Sequence, residues 1–277
     1  MEQKHKINAS VVLYNTGVED LQNLFSSFKN TSSINTLFVV DNSPTDKLYK
    51  IVISLTEHFN IHYIHLPENP GFGAGHNEAF KRSIEQKVDF HAVINPDVTF
   101  TDDVFSPIVD YIISNHEVGM IMPQILNEDG TRQNLPKLLP SPYSVLLRKL
   151  RRPRKVYEKF INTYELRFVG ENITYQAPIL SGCFTVFRIS ALQEVGLYDD
   201  RFFMYFEDWD MSRRMHKKFK TIYFPKISII HGYESGANKN RKLFVIFVKS
   251  CIKYFNKWGW IIDKDRRKIN RETLEQF

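Results

Sequence analysis

The 277-residue chain is 43% hydrophobic, 25% charged and 14% aromatic, enough to bury a full core, which excludes disordered, collagen-like and low-complexity classes. Its length fits one large α/β unit with an appendage, and its two cysteines, Cys183 and Cys251, exclude a disulfide framework or CxxC knuckle and fit a reducing compartment. The net charge is +6, and ten Lys/Arg against four Asp/Glu in residues 241–277 account for all of it, so the body is neutral and the tail basic.

The N-terminal residues hold no apolar run long enough for a signal peptide, so no export is expected. Ile7–Tyr14 reads as a buried strand, followed by a helical pattern around Leu21, Leu24, Phe25 and Phe28. Thr36–Val40 is a second strand ending at Asp41, Leu48–Phe59 is helical, and Ile61–Leu66 is a third strand. Ala79–Lys87 continues a helix after a glycine-rich turn, and Phe90–Ile94 is a fourth strand ending in Asn95-Pro96-Asp97. Strands alternating with helices of about a dozen residues imply βαβ crossovers and an open, mostly parallel, Rossmann-like sheet with helices on both faces.

The second half is less regular. Residues 123–176 carry Pro123, Pro136, Pro140, Pro142 and Pro153 beside a basic block from Arg148 to Lys155, which predicts a long loop region with short helices. Ile179–Arg188 is strand-like, a helix over 208–218 follows the aromatic run Phe202–Tyr205, and strands near 221–224 and 227–231 return to the sheet. Drawn as a helix, Lys242–Ile262 sets Lys242, Lys249, Lys253 and Lys257 on one face, with Phe244, Phe247, Val248, Cys251, Phe255, Trp258 and Ile262 opposite. Two readings compete: a terminal helix packing on the core, or an interfacial helix with aromatics in the headgroup layer and lysines facing anionic lipid. The apolar run Leu243–Val248 stops at Lys249, far short of the ~20 residues of a membrane span. No RNP-type, zinc-finger or helix-turn-helix signature is present, so no nucleic-acid partner is expected.

In open α/β sheets, ligands bind beyond the carboxyl ends of the strands. Tyr14 and Asn15 follow the first strand, Asp41 and Asn42 the second, Asn69 to Asn77 the third, and Asn95 and Asp97 the fourth. Their joint placement points to one crevice, although turns favour such residues anyway. The glycines from Gly71 to Gly75 fail the GxGxxG dinucleotide spacing, because the third position is His76. They serve either a tight turn or the presentation of backbone N–H groups to a ligand. Asp97 either binds a divalent ion that bridges diphosphate oxygens or caps a helix starting near Thr101 to Asp103. Glu207, Asp208 and Asp210 either complement a helix dipole or supply a base that neighbouring aromatics desolvate. His231 ends a β-type run, where a neutral imidazole can complete a metal site with Asp97.

Several ordered motifs together resemble glycosyltransferase family 2, especially its bacterial rhamnosyltransferase-like members. They are VVLYN at 11–15, VVDNSPTD at 39–46, NPGFGAGHNEAF at 69–80, INPDV at 94–98, SGCFTVFR at 181–188 and FFMYFEDWDMSRRMHKK at 202–218, with IIHGYESG around His231. The resemblance implies a GT-A catalytic domain over residues 1–240 followed by the basic amphipathic helix and tail. It also implies a nucleotide-sugar donor and inversion at the anomeric carbon. By position, Asp41 is similar to the aspartate that reads the nucleobase, with Tyr14, Asn15, Asn69, Gly71, Gly73 and Asn95 around the donor. Asp97 and His231 resemble the ligands of Mg2+ or Mn2+, Asp208 the general base, and Glu207 the residue that orients the acceptor. The usual first aspartate of the DxD motif is Asn95 here, one negative charge fewer. The resemblance further implies transfer of rhamnose from dTDP-rhamnose, or of a UDP-hexose or galactofuranose, to a saccharide in surface-polysaccharide synthesis. The expected acceptor is polyprenyl-diphosphate-linked, and the expected location is cytoplasmic and peripheral on the inner face of the membrane, against an anionic surface. The competing class is a nucleotidyltransferase, whose N-terminal loop carries a basic residue that residues 7–20 lack.

Overall fold

Residues 5–29, 31, 33–54, 60–232 and 241–277 are described by the computed structural model. Strand β1 (Ile7–Leu13) is buried along its whole length, as a strand covered on both faces must be. It lies between the parallel strands β2 (Ile34–Asp41) and β4 (Phe90–Ile94), and β3 (Ile61–His65) forms the edge beyond β2. Alternate side chains point to opposite faces. Ala9, Val11 and Leu13 therefore join the main core with Leu21, Leu24, Phe25 and Phe28 of helix α1 (Val18–Phe28). Val12, with Phe38 and Val40, meets Ala79 of α3 (Phe72–Glu85) on the other face. Helix α2 (Tyr49–Ser54) comes between α1 and α3 in the chain, and β5 (Val98–Thr99) follows β4; residues 55–59 of the expected second helix lie outside the described residues.

The sheet continues from β4 through β8 (Phe184–Arg188), β6 (Val118–Leu126) and β9 (Lys220–His231) to β5, with β7 (Tyr175–Gln176) paired to β9. β8 runs antiparallel to both neighbours, while β6 and β9 are parallel. An open α/β sheet with helices on both faces is thus observed, parallel from β3 to β4 and again between β6 and β9, and antiparallel where β8, β5 and β7 pair. Helix α3 starts at Phe72 rather than near Ala79, because Gly71 provides the left-handed φ of 108° at its N-terminus and the glycines behind it continue as helix. Residues 221–231 form one strand with a register irregularity where two had been expected. Asp103, not Asp97, accepts from the Phe105 and Ser106 N–H groups at the start of α4 (Phe105–Ser114). The cap reading of Asp97 therefore falls.

Two helices, α5 (Pro142–Leu150) and α6 (Arg154–Tyr164), occupy the proline-rich region. Ser141 and Ser144 cap α5 reciprocally. The short α7 (Ile189–Val195) and α8 (Glu207–His216) flank the final turn back to β9. The tail forms α9 (Arg241–Trp258) and α10 (Lys264–Leu274). Tyr254 and Phe255 are buried on Phe202 and Phe206, with Phe247, Cys251 and Trp258 packed beside them. Lys257 departs from the expected lysine face: its ammonium pairs with Asp199 at 2.8 Å and Asp210 at 2.7 Å. Phe244 and Val248 in turn stay exposed, together with Val245 and Ile252. No helix among the described residues is long and apolar enough to cross a membrane.

Candidate active site

The carboxyl ends of β1 to β4 are tied together by short-range bonds. Asn15, in left-handed backbone, donates its N–H to Ser43 Oγ at 2.9 Å, and Tyr14 beside it is exposed. Asp41 is fully buried; Oδ1 accepts from Ser43 N at 2.9 Å and Oδ2 from the Tyr63 hydroxyl at 2.7 Å. Burial and this carboxylate push the Tyr63 phenol up, so it stays a donor. Asn42 Nδ2 reaches Gly71 O at 3.1 Å, while its Oδ1 is buried without a partner. Asn69 is left-handed and closes its own turn onto Leu66 O.

The glycine-rich turn then meets the segment before α8. Phe72 N donates to Phe203 O at 2.9 Å, and a Cβ on Gly71 would stand 2.2 Å from that same oxygen. A Cβ on Gly73 would come 2.9 Å from Tyr198 Cβ and 3.5 Å from Glu207 Cβ. Close backbone approach is therefore what both glycines permit. Tyr205 and Phe206 each hold φ near 68°, a costly conformation for bulky residues that persists only where packing enforces it. Phe206 is wedged among Trp209, Phe247 and Tyr254, so the tail helix α9 helps hold the entry to α8.

Of the acidic residues at the start of α8, Asp210 is structural: Arg214, Lys257 and Trp258 Nε1 all bind it. Glu207 and Asp208 are different. Asp208 accepts from Gly182 N at 3.3 Å and from Trp209 N at 2.9 Å. Burial raises its carboxyl above the usual aspartate range. Glu207 is buried with Oε2 unpartnered, and burial followed by the Asp208 charge raises it well above the glutamate range. Two adjacent carboxyls, Glu207 buried and Asp208 half-buried, thus share a reluctance to ionise together.

The fourth strand end joins them. Asn95 N donates to Cys183 O at 2.8 Å, one residue from the Gly182 that binds Asp208. His231 at the end of β9 lies with Nε2 3.4 Å from Asp97 Oδ1 and 3.3 Å from Asn95 Nδ2. Its Nδ1 is 3.1 Å from Gln133 Oε1, and Gln133 Nε2 donates to His231 O at 2.9 Å. With Nδ1–H donating to Gln133, Nε2 presents its lone pair toward Asp97, the tautomer a metal ligand requires. Asn95 Oδ1 and Asp97 Oδ1 are buried without hydrogen-bond partners. Oxygen and imidazole donors of this kind fit a divalent cation. Among the described residues no group of three or more His, Cys, Asp or Glu side chains is placed to hold a metal ion.

A family model described as Glycosyl transferase family 2 matches residues 10–196. This chain belongs to glycosyl transferase family 2. Among relatives of this family 2 chain, the low-salt glycan biosynthesis hexosyltransferase Agl10 of Haloferax volcanii is 25% identical over 212 residues, covering 76% of this chain and 62% of the relative. The N-acetylglucosaminyl-diphospho-decaprenol L-rhamnosyltransferase of Mycobacterium tuberculosis is 23% identical over 206 residues, covering 70% of this chain and 66% of that one. The chain thus spans just under two thirds of the length of these relatives. GalNAc-T7 with UDP, GalNAc and Mn2+ superposes with TM-score 0.66 at 14% identity, over 91% of this chain and 48% of that one. The mannosyltransferase PcManGT of Pyrobaculum calidifontis with GDP-Man and Mn2+ gives 0.61 at 15%, over 91% and 64%. The fold is therefore GT-A.

For the family 2 chain, pairwise contacts link Asn15 to Asp41 through Ser43, Gly73 to Glu207, Asp208 to Asn95 through Gly182 and Cys183, and Asn95 and Asp97 to His231, while Gly71 meets Asn42. Asn69 closes its own turn onto Leu66 O. Sequence reading missed Gln133, Lys137, Tyr63 and Gly182. A glutamine in a proline-rich loop carries no spacing signal, and its partner is 98 positions away.

Proposed function

We propose that the chain is an inverting, metal-dependent glycosyltransferase that moves a sugar from a nucleotide diphosphate to a saccharide hydroxyl. The observation that carries this reading is the Gly182–Cys183 segment: its N–H meets Asp208 and its C=O meets Asn95, two residues from Asp97. A base and a cation site then flank the same two-residue segment. Asp208 takes the proton of the acceptor hydroxyl as that oxygen bonds to the anomeric carbon, and the bond from that carbon to the diphosphate oxygen breaks with its electron pair. Asp97 and His231 would hold Mg2+ or Mn2+, which would supply charge neutralisation for a departing diphosphate. Glu207 orients the acceptor. Tyr14, Asn15, Asp41 and Asn69 border the nucleotide, and Gly71, Gly73 and Asn95 the diphosphate-sugar.

Rhamnose from dTDP-rhamnose is the first-choice donor, supported by the rhamnosyltransferase among the relatives; the hexosyltransferase among them supports a UDP-hexose as the second. The decaprenol-linked relative likewise supports a polyprenyl-diphosphate-linked acceptor, as in bacterial surface-polysaccharide synthesis, on the cytoplasmic membrane face. Residues 1–240 form the catalytic unit in this reading, and 241–277 bind anionic lipid. Screening nucleotide-sugars for release of nucleoside diphosphate tests it. Asp208→Asn is expected to keep donor binding and lose turnover by about 10²–10⁴-fold; full activity removes Asp208 as the base.

A further inference from the structure

Lys137 is only 6% exposed, and none of the roles above uses it. Its ammonium donates to Leu135 O at 2.8 Å and makes no ion pair among the described residues. A buried ammonium without a carboxylate contact is costly. Its backbone shows where the residue is anchored. Lys137 and Ile179 exchange both backbone hydrogen bonds, at 3.1 and 3.2 Å. Three residues beyond Ile179, Gly182 N binds Asp208, and between them Leu180 is clasped by Ser212 of α8 through both its N–H and its C=O. The lysine strand is thereby fastened to the helix that carries the carboxyl pair.

The two carboxyls are served unequally. Asp208 receives the backbone N–H groups of Gly182 and Trp209 besides its own and lies in the field of Lys137, each charge favouring the other. Glu207 has its own N–H on one oxygen and nothing on Oε2. The other titratable groups facing Asp208 are the Cys183 thiol, which burial pushes up to about 12, and the Tyr198 phenol, raised by burial and by both carboxyls. Both are neutral at working pH. Behind Lys137 stand Arg148 and Glu165, paired with one another at 3.5 Å. Burial brings the Lys137 ammonium down to about 8, so it remains mostly charged near neutrality.

We propose that Lys137 is a positioning residue that assigns the proton shared by the two carboxyls to Glu207, leaving Asp208 ionised as the base and Glu207 an O–H donor to the bound sugar. The inference rests on the glycosyl-transfer reading for its catalytic meaning, although the charge assignment stands without it. The acceptor proton then moves to Asp208 while the proton on Glu207 stays where it is, and no further co-reactant is needed.

The test is the pH profile of kcat/KM for the wild type, Lys137→Met and Lys137→Arg. Without the cation, Asp208 ionises only at higher pH, so the acid limb of Lys137→Met is expected to move up by roughly one pH unit, with Lys137→Arg restoring it. A loss equal at every pH, or a rise in donor KM alone, overturns the proposal. Lys137→Gln serves in the same way if the methionine variant does not fold. A carbon-13 titration of labelled aspartate, with the Asp208 resonance assigned from Asp208→Asn, reads the same shift without turnover. A shifted resonance in a protein inert toward every nucleotide-sugar defeats the function and not the coupling; an unmoved resonance in an active enzyme defeats the coupling alone.

Discussion

Gln133 shows how much of a binding site rests on one side chain that touches no substrate. By accepting from Nδ1–H and donating to the carbonyl of the same residue, it fixes the His231 ring and its tautomer. Partners of this kind typically govern metal affinity by 10–100-fold. Gln133→Leu is therefore expected to weaken Mn2+ binding by about that factor in titration calorimetry, with the fold intact. Unchanged affinity would remove His231 from the cation site. Asp41, foreseen as the base-reading carboxylate, accepts one hydrogen bond on each oxygen, from Ser43 N and from the Tyr63 hydroxyl, and keeps a further lone pair on each.

Helix α8 and the N-terminal cap of α10 are joined by charges that water does not reach. Arg213 of α8 makes two bonds of 2.7 and 2.8 Å to Asp263, both partners nearly fully buried, and its guanidinium lies 4.2 Å from the centre of the Trp258 ring. Removing one member leaves the other charge stranded, so Asp263→Ala is expected to cost about 3–5 kcal/mol, read from the urea midpoint. Activity is expected to fall further than stability alone predicts, because α9 also holds Phe206 in its left-handed backbone just ahead of Glu207. A loss below ~1 kcal/mol would show that the tail docks without this pair.

Across the molecule, buried histidines set the acid limit of stability. His76 and His91 share Ser10 beneath α3, at 2.7 Å each, and burial lowers His76 to about 3 and His91 well below the usual range. Burial likewise lowers His216 to about 4. These groups are neutral when folded and protonate when unfolded, so their contribution is intact above about pH 6.5 and erodes as pH falls below it. Each costs about 1.4 kcal/mol per pH unit. The proton shared by Glu207 and Asp208 runs the other way, since burial favours their acid forms. Three imidazoles against one shared proton leave a loss on the order of 2–3 kcal/mol between pH 6 and 5, measurable as a falling denaturation midpoint; a flat profile would contradict it.

The lipid contact proposed for the tail has exposed apolar side chains to draw on. Leu146 and Leu150 of α5 and the loop residues Ile261 and Ile262, 80% and 78% exposed, lie close in sequence to cations of the two basic segments. Lys149 of α5 already lies 4.8 Å over Phe244 of α9. Flotation with anionic vesicles at moderate salt is expected to carry the protein, and serine at 261 and 262 together to weaken binding roughly tenfold or more. Absence of binding would end the membrane reading.

Hydrophobic runs and turn residues determined by themselves the four leading strands, their parallel order and the polar groups at their ends, because those signals are local and repeat every two or four residues. The same runs left open whether Asp97 capped a helix, whether the acids of α8 served a dipole, and which side of the tail met the core. Tertiary structure decided each of these by distance: Asp103 lies nearer the start of α4, Asp210 takes the three donors, and Lys257 turns inward to meet it. Gln133 and Lys137 emerged only there, since a loop side chain gains its meaning from a strand or helix some 40 to 100 positions away, brought beside it by sheet order rather than by any pattern in its own segment.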